Sequence, residues 1–258
     1  MTHLHLRPLP ALADNYIWML NDDLGNALVI DPGEATPVLG ELRRLRLHLR
    51  AILLTHHHPD HTGGAQRLRE LTSARIYAAR DPQIEGVTDR VGDGDRINLD
   101  APRCSFQVIA VPGHTLSHIA FHGHDLLFSG DTLFSIGCGR LFEGTPAQML
   151  HSLDRLAALP AETRVCCGHE YTRANCAFAE SVEPGNAALR ARSESVQRMR
   201  DAGLPSLPSL LADELACNPF LRIDQPGIIN ALASEKPAPA DRVSRFAALR
   251  RMKDVFRA

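Results

Sequence analysis

The sequence predicts an α/β domain followed by a smaller, all-helical one. Up to about residue 170 short strand-like runs alternate with amphipathic stretches, and beyond it the strand-like runs stop. The 258 residues suffice for one large and one small domain, at roughly 100 to 200 residues each. We place the boundary at residue 172, giving domains 1–172 and 173–258.

His3 to Leu6, Tyr16 to Leu20 and Ala27 to Ile30 read as strands, the last stopped by the turn sequence Asp31-Pro32-Gly33. Thr36 to Leu49 carries leucines at 39, 42, 45, 47 and 49 with arginines between them, which predicts a helix packed on one face. Ala51 to Thr55 is a buried-type strand. Gly64 to Leu71 reads as helix, and Ile76 to Ala78, Phe106 to Val111, Ile119 to Phe121 and Leu126 to Phe128 as strands. Pro146 to Leu159 is a helix with proline in its first turn, and Val165 to Cys167 a last short strand. In the tail, Tyr171 to Val182, Ala187 to Ala202, Ser209 to Leu215, Ile228 to Leu232 and Asp241 to Phe256 predict helices with no strand among them. Lys236 to Ala240, rich in Pro and Ala, predicts a loop.

Composition narrows the function. Apolar residues make up 44% and charged residues 22%, as in an ordinary globular protein. Lys plus Arg number 28 against 30 Asp plus Glu, so no whole-chain field draws in nucleic acid. The first residues lack a basic segment followed by a long apolar run, which predicts neither a secretory signal nor a membrane span and makes the cytoplasm the expected compartment. Six cysteines with no Cys-x-x-Cys pair predict buried thiols rather than a disulfide framework or a cysteine-rich zinc site.

Histidine is the outlier, with 13 copies, and the copies cluster. The strand ending at Thr55 runs into His56-His57-His58-Pro59-Asp60-His61. Residues two apart on extended backbone point the same way, so His56 and His58 can share one ion while Asp60 and His61 face a neighbouring position. Three further candidates, His114, Asp131 and His169, each follow a glycine at the end of an apolar run, where a sheet presents ligands from rigid elements. Five histidines and two carboxylates exceed the three or four ligands of a single zinc and suit two divalent ions sharing a carboxylate. A lone histidine is more often core or surface than ligand, and His3, His5, His48, His122, His124 and His151 are read that way. His57 is expected to face away from the ions, and His118, four after His114, either to be core or to support a ligand from behind.

These motifs resemble the metallo-β-lactamase superfamily, whose fold is an αββα sandwich with metals at one edge. The detailed pattern is similar to its glyoxalase II (hydroxyacylglutathione hydrolase) family. The likeness extends through Asp131-Thr-Leu-Phe134, Gly137-Cys-Gly-Arg-Leu-Phe-Glu-Gly-Thr145, Cys167-Gly-His-Glu-Tyr-Thr172, Asn218-Pro-Phe-Leu-Arg222 and Arg250-Arg-Met-Lys-Asp254. The resemblance implies that His56, His58 and His114 bind one metal, that Asp60, His61 and His169 bind the other, and that Asp131 bridges. It implies two divalent ions per chain, zinc foremost, with iron or manganese admitted by the same donors. It also implies a glutathione thioester substrate held by Arg140, Tyr171, Arg250 and Lys253, a helical glutathione-binding tail, and catalysis by Asp60 and Asp131. The chain departs from the family pattern at Arg140, where lysine is common, and at Phe142, where tyrosine is. Small-molecule substrates, no nucleic acid, no membrane and a monomer are the expected partners and state. The implied reaction is hydrolysis of S-D-lactoylglutathione to D-lactate and glutathione. Its rivals are a glutathione persulfide dioxygenase with one iron, a secreted β-lactamase, a metal-dependent ribonuclease and a non-catalytic metal-binding module.

Overall fold

The computed structural model describes residues 3–233 and 239–257. Residues 236–238 of the predicted loop lie outside this range. The chain forms two compact units. One comprises Met1–Ala110, Ser117–Gly130 and Cys166–His169, the other Val111–Leu116, Asp131–Val165 and Glu170–Ala258.

In the first unit β1 (Leu4–Ala11), β2 (Asn15–Asp22), β3 (Asn26–Ile30), β4 (His48–Leu54), β5 (Arg75–Ala79) and β6 (Asp89–Val91) form one sheet in sequence order. β1 to β3 are antiparallel and β3 to β6 parallel. β3 from Ala27 and β4 from Ala51 are runs of Ala, Leu, Val and Ile because both of their faces are covered there. Helices α1 (Ala35–Leu45) and α3 (Ala65–Thr72) supply Val38, Leu42, Ala65 and Leu68 to the core over this sheet, and the single turn α2 (Pro59–Thr62) lies between them. The second sheet has the order β14-β13-β10-β9-β8-β7. It is built from β7 (Arg96–Asp100), β8 (Arg103–Ala110), β9 (Ile119–Gly123), β10 (Leu126–Gly130), β13 (Arg164–Cys167) and β14 (Ser209–Leu210). The Trp18 indole on β2 donates to the Cys167 carbonyl on β13 at 2.9 Å, tying the first sheet to the second within the first unit. This is the predicted α/β sandwich.

The predicted helix Thr36 to Leu49 overran its true end. Arg46 adopts a left-handed φ of 56°, and His48 to Arg50 turn into β4. Leucines at 45, 47 and 49 satisfy a two-residue period as well as a helical face, and the left-handed turn decides between them.

The second unit holds the hairpin β11 (Leu133–Phe134) and β12 (Gly137–Cys138), then α4 (Pro146–Ala157), α5 (Thr172–Val182), α6 (Ala187–Asp201), α7 (Leu211–Cys217), α8 (Pro226–Leu232) and α9 (Arg242–Val255). Thr145 and Gln148 form a reciprocal capping box on α4, and Asp241 with Ser244 does the same on α9. The tail is not purely helical, as had been expected. Ser209–Leu210 form β14, which pairs antiparallel with Arg164 and Val165. Two residues are too few to show a two-residue hydrophobic period, so α7 absorbed them in the sequence reading.

Candidate metal centre

β4 ends at Leu54, and the next seven residues carry the ligand candidates. Asp31, at the end of β3, holds them in place. Its buried carboxylate accepts from the Thr55 amide at 2.8 Å, the Thr55 hydroxyl at 2.7 Å and His61 Nδ1 at 3.0 Å. The Thr55 hydroxyl oxygen in turn lies 3.0 Å from His56 Nδ1. With their Nδ1 atoms so engaged, His56 and His61 present Nε2 as the ligating atom. His56 Nε2 approaches His58 Nδ1 to 3.1 Å, and His61 Nε2 approaches His169 Nε2 to 3.2 Å. Asp60 Oδ2 stands 3.4 Å from both His61 Nε2 and His169 Nε2. Ligand atoms about 2.0–2.1 Å from a tetrahedral ion stand about 3.3 Å apart, so these separations fit a shared cation. His169 is oriented by Asp14, whose carboxylate accepts from Nδ1 at 2.7 Å.

The His169 and His61 rings and the Asn15 amide, 3.0 Å away, hold the Asp60 carboxyl well below the usual carboxylate range against the opposing effect of burial. Backbone crowding fixes this residue too. A Cβ on Gly33 would lie 2.0 Å from the Asp60 carbonyl oxygen, so the turn after β3 passes where only glycine fits.

Two further ligand candidates lie in the second unit. His114 and Asp131 are both buried, with Nε2 and Oδ2 3.5 Å apart. His114 Nδ1 donates to the Arg140 carbonyl at 2.9 Å, again leaving Nε2 for a ligand. Gly139 makes the close approach possible, because a Cβ there would meet the Asp131 carbonyl oxygen at 1.9 Å.

Of the substrate candidates, Tyr171 lies edge-on to Phe134, and Arg140 reaches Asp254 at 3.8 Å from the surface. Arg250 is buried. It donates to the Cys138 carbonyl at 2.8 Å, pairs with Asp254 at 3.0 Å and lies over the Phe220 ring. Lys253 donates to the Ala174 carbonyl at 3.0 Å beside the Phe178 and Phe256 rings. Burial pushes its pKa down to about 8, and the neighbouring Arg250 charge adds to the shift. Phe142, at 62% exposure, lies edge-on to His114.

The remaining histidines take other posts. His57 turns to Asp81 at 2.9 Å, His5 pairs with Asp23, and the buried His118 stacks on His56 with ring centroids 4.6 Å apart. Sequence reasoning passed over Asp14, Asn15 and Asp31. Asp31 carried a usable signal, since it ends an apolar strand as Asp131 does, but the following Pro-Gly read as a simple turn. Asp14 and Asn15 carried none.

Two family models match the chain. The metallo-beta-lactamase superfamily covers residues 13–169 and the hydroxyacylglutathione hydrolase C-terminus covers residues 170–256. A hydroxyacylglutathione hydrolase of Methylobacillus flagellatus is 54% identical over 96% of this chain and 98% of its own length. One from Albidiferax ferrireducens is 52% identical over 98% of this chain and 100% of its own. The chain belongs to the hydroxyacylglutathione hydrolase family. Among solved structures, the BLEG-1 B3 metallo-beta-lactamase shares the fold at 23% identity and a TM-score of 0.64, over 85% of this chain and 99% of its own. ETHE1 from Myxococcus xanthus aligns at 28% identity and a TM-score of 0.58, over 86% and 99%. The His and Asp clusters fit the divalent metal site of such a family, by their donor chemistry and by the oriented second nitrogens of His56, His61, His114 and His169.

Proposed function

We propose that this chain hydrolyses S-D-lactoylglutathione, and related 2-hydroxyacyl-glutathiones, to the hydroxy acid and glutathione. The observation that carries the reading is the match of the tail, residues 170–256, to the C-terminal region of hydroxyacylglutathione hydrolases, alongside a metal-donor set in the preceding segment. The reading assigns His56, His58 and His114 to one metal and Asp60, His61 and His169 to a second, with Asp131 bridging. Zinc is its expected ion. It also takes residues 1–172 as the catalytic domain, residues 173–258 as the glutathione-binding one, and a cytoplasmic monomer as the working form. No helix among the described residues is long and apolar enough to cross a membrane.

Two such cations, when bound, lower the pKa of a water from ~16 toward ~7 and polarise the thioester carbonyl. The chain's own residues do the rest. Asp60 accepts a hydrogen bond from the attacking water, aims its lone pair at the carbonyl carbon and is placed to take its proton. The C–S bond breaks as the tetrahedral centre collapses, and the thiolate, with a pKa near ~8.5, leaves without a general acid. Arg140, Tyr171, Arg250 and Lys253 hold the glutathione carboxylates and backbone, so that the acyl group alone reaches the donors.

The test is hydrolysis of lactoyl, acetyl and other glutathione conjugates by metal-loaded protein. Oxygen uptake with glutathione persulfide at one iron per chain would support the dioxygenase rival, which the relatives at 52–54% identity do not favour.

The Lys253 shift makes a pH prediction. A cation with a pKa of about 8 loses its charge as the pH rises through that value, and with it the attraction for a substrate carboxylate. KM is therefore expected to rise above pH 8 while kcat stays level, and Lys253→Arg should flatten that limb. A KM independent of pH between 7 and 9.5 in the unsubstituted protein would remove Lys253 from carboxylate binding.

A further inference from the structure

We infer that the helical tail builds the metal centre as well as the substrate site, through a brace of buried polar side chains gripping the backbone of residues 134–138. This rests on the proposed role of His114 and Asp131 as ligands. The segment from Asp131 to Arg140 joins the two, since Asp131 opens it and the Arg140 carbonyl at its end accepts from His114 Nδ1. Between them lies the hairpin of β11 and β12, whose short strands pair only through Leu133 with Cys138 and Phe134 with Gly137. Two residue pairs do not hold a hairpin rigid in water. Its tip is held in a costly conformation as well, with the β-branched Ile136 at a φ of 57°.

What holds it comes from the tail. Asn218 donates its amide to the Phe134 carbonyl at 3.1 Å and the Gly137 carbonyl at 3.0 Å. Glu214 accepts the Ile136 amide at 2.7 Å, and the Asn218 amide nitrogen, whose two hydrogens serve the two carbonyls, lies 3.1 Å from the same Glu214 oxygen. Asn175 donates to the Ser135 carbonyl at 3.0 Å, and Arg250 to the Cys138 carbonyl at 2.8 Å. Five consecutive residues thus each have a backbone polar group satisfied by a tail side chain. Glu214 and Asn218 are wholly buried, and Asn175 and Arg250 are 5% exposed. Burying amide and carboxyl groups costs free energy unless they are hydrogen-bonded, and each of these four side chains has at least one bond to this short stretch of main chain. A Cβ on Gly137 would lie 2.5 Å from the Asn175 amide nitrogen, so the stretch is seated against the brace without room to slide. Glu214 and Asn218 are positioning residues, acting on the metal through Asp131 and His114.

The experiment compares Glu214→Leu, Asn218→Leu and the conservative Glu214→Gln with Ile228→Ala. The last empties part of the core under α8 and serves as a control for lost stability alone. Zinc affinity is measured by chelator competition on folded protein, and amide exchange is followed at Ile136. Both leucine variants are expected to weaken zinc binding about 10- to 100-fold. They should also speed exchange at Ile136 and lower kcat with KM within about twofold of the unsubstituted protein. Glu214→Gln, whose amide oxygen still accepts the Ile136 amide, should recover most of the affinity, and Ile228→Ala should leave it unchanged. If a leucine variant does not fold, Asn175→Ala, which removes only the bond to Ser135, is expected to shift the same readouts less far. Folded variants with unchanged zinc affinity and unchanged Ile136 exchange would overturn the inference. Both readouts are independent of thioester turnover, so a protein that binds zinc but hydrolyses nothing would reject the proposed function and not the brace.

Discussion

Asp131→Ala is expected to abolish metal retention and hydrolysis together. In the proposed centre this carboxylate is the bridge, so its loss removes a ligand from each ion at once. The activation supplied by bound cations amounts to several kcal/mol of barrier, and each 1.36 kcal/mol is tenfold in rate, so a fall in kcat of roughly 10³-fold or more follows. Metal per chain, measured by elemental analysis after dialysis, should drop in parallel. Asp131→Asn keeps the shape and one acceptor oxygen but loses the charge, and should lie between. A folded Asp131→Ala protein with full metal content would remove the bridging role and leave two separate sites.

The second large effect is at Asp31. The carboxylate is 4% exposed and satisfies three buried donors, the Thr55 amide, the Thr55 hydroxyl and His61 Nδ1. Asp31→Ala takes this acceptor from all three, leaving the Thr55 hydroxyl only its contact with His56 Nδ1, at about 1–3 kcal/mol for each lost bond and not fully additive. A loss of roughly 3–5 kcal/mol is large beside the 5–15 kcal/mol stability of an ordinary domain, so thermal unfolding should shift down by about 10 °C or more. Asp31→Asn separates stability from ligand orientation. The amide oxygen still accepts from Thr55, while its NH2 group faces His61 Nδ1 and favours the tautomer with the proton on Nε2, where the metal should bind. Metal affinity should fall about 10- to 100-fold with a smaller loss of stability. Asp31→Asn protein that binds metal as tightly as the unsubstituted chain would show that this carboxylate orients nothing.

Much of this site was legible because the candidate ligands are types rarely needed for packing, placed where apolar runs end. His56, His58, Asp60 and His61 lie within six residues of one strand end, and no long-range information was needed to group them. His114, Asp131 and His169 gave weaker signals, each marked only by the glycine before it. The supporting residues were hidden for a physical reason. Asp14, Asn15, Glu214 and Asn218 act through hydrogen bonds to groups distant in sequence, and no local periodicity records such a partner. Strand alternation exposed the long elements, whereas α2, β11, β12 and β14, at two to four residues each, are shorter than any hydrophobic period can reveal. The misplaced end of α1 belongs to the same class, since a single left-handed residue outweighed a run compatible with both helix and strand.

The most direct test of the central claim is to titrate metal-free protein with zinc while following hydrolysis of S-D-lactoylglutathione. The account predicts that activity climbs to a plateau at two equivalents per chain. Protein carrying two zinc ions that leaves the thioester intact, or activity already complete at one equivalent, would contradict it.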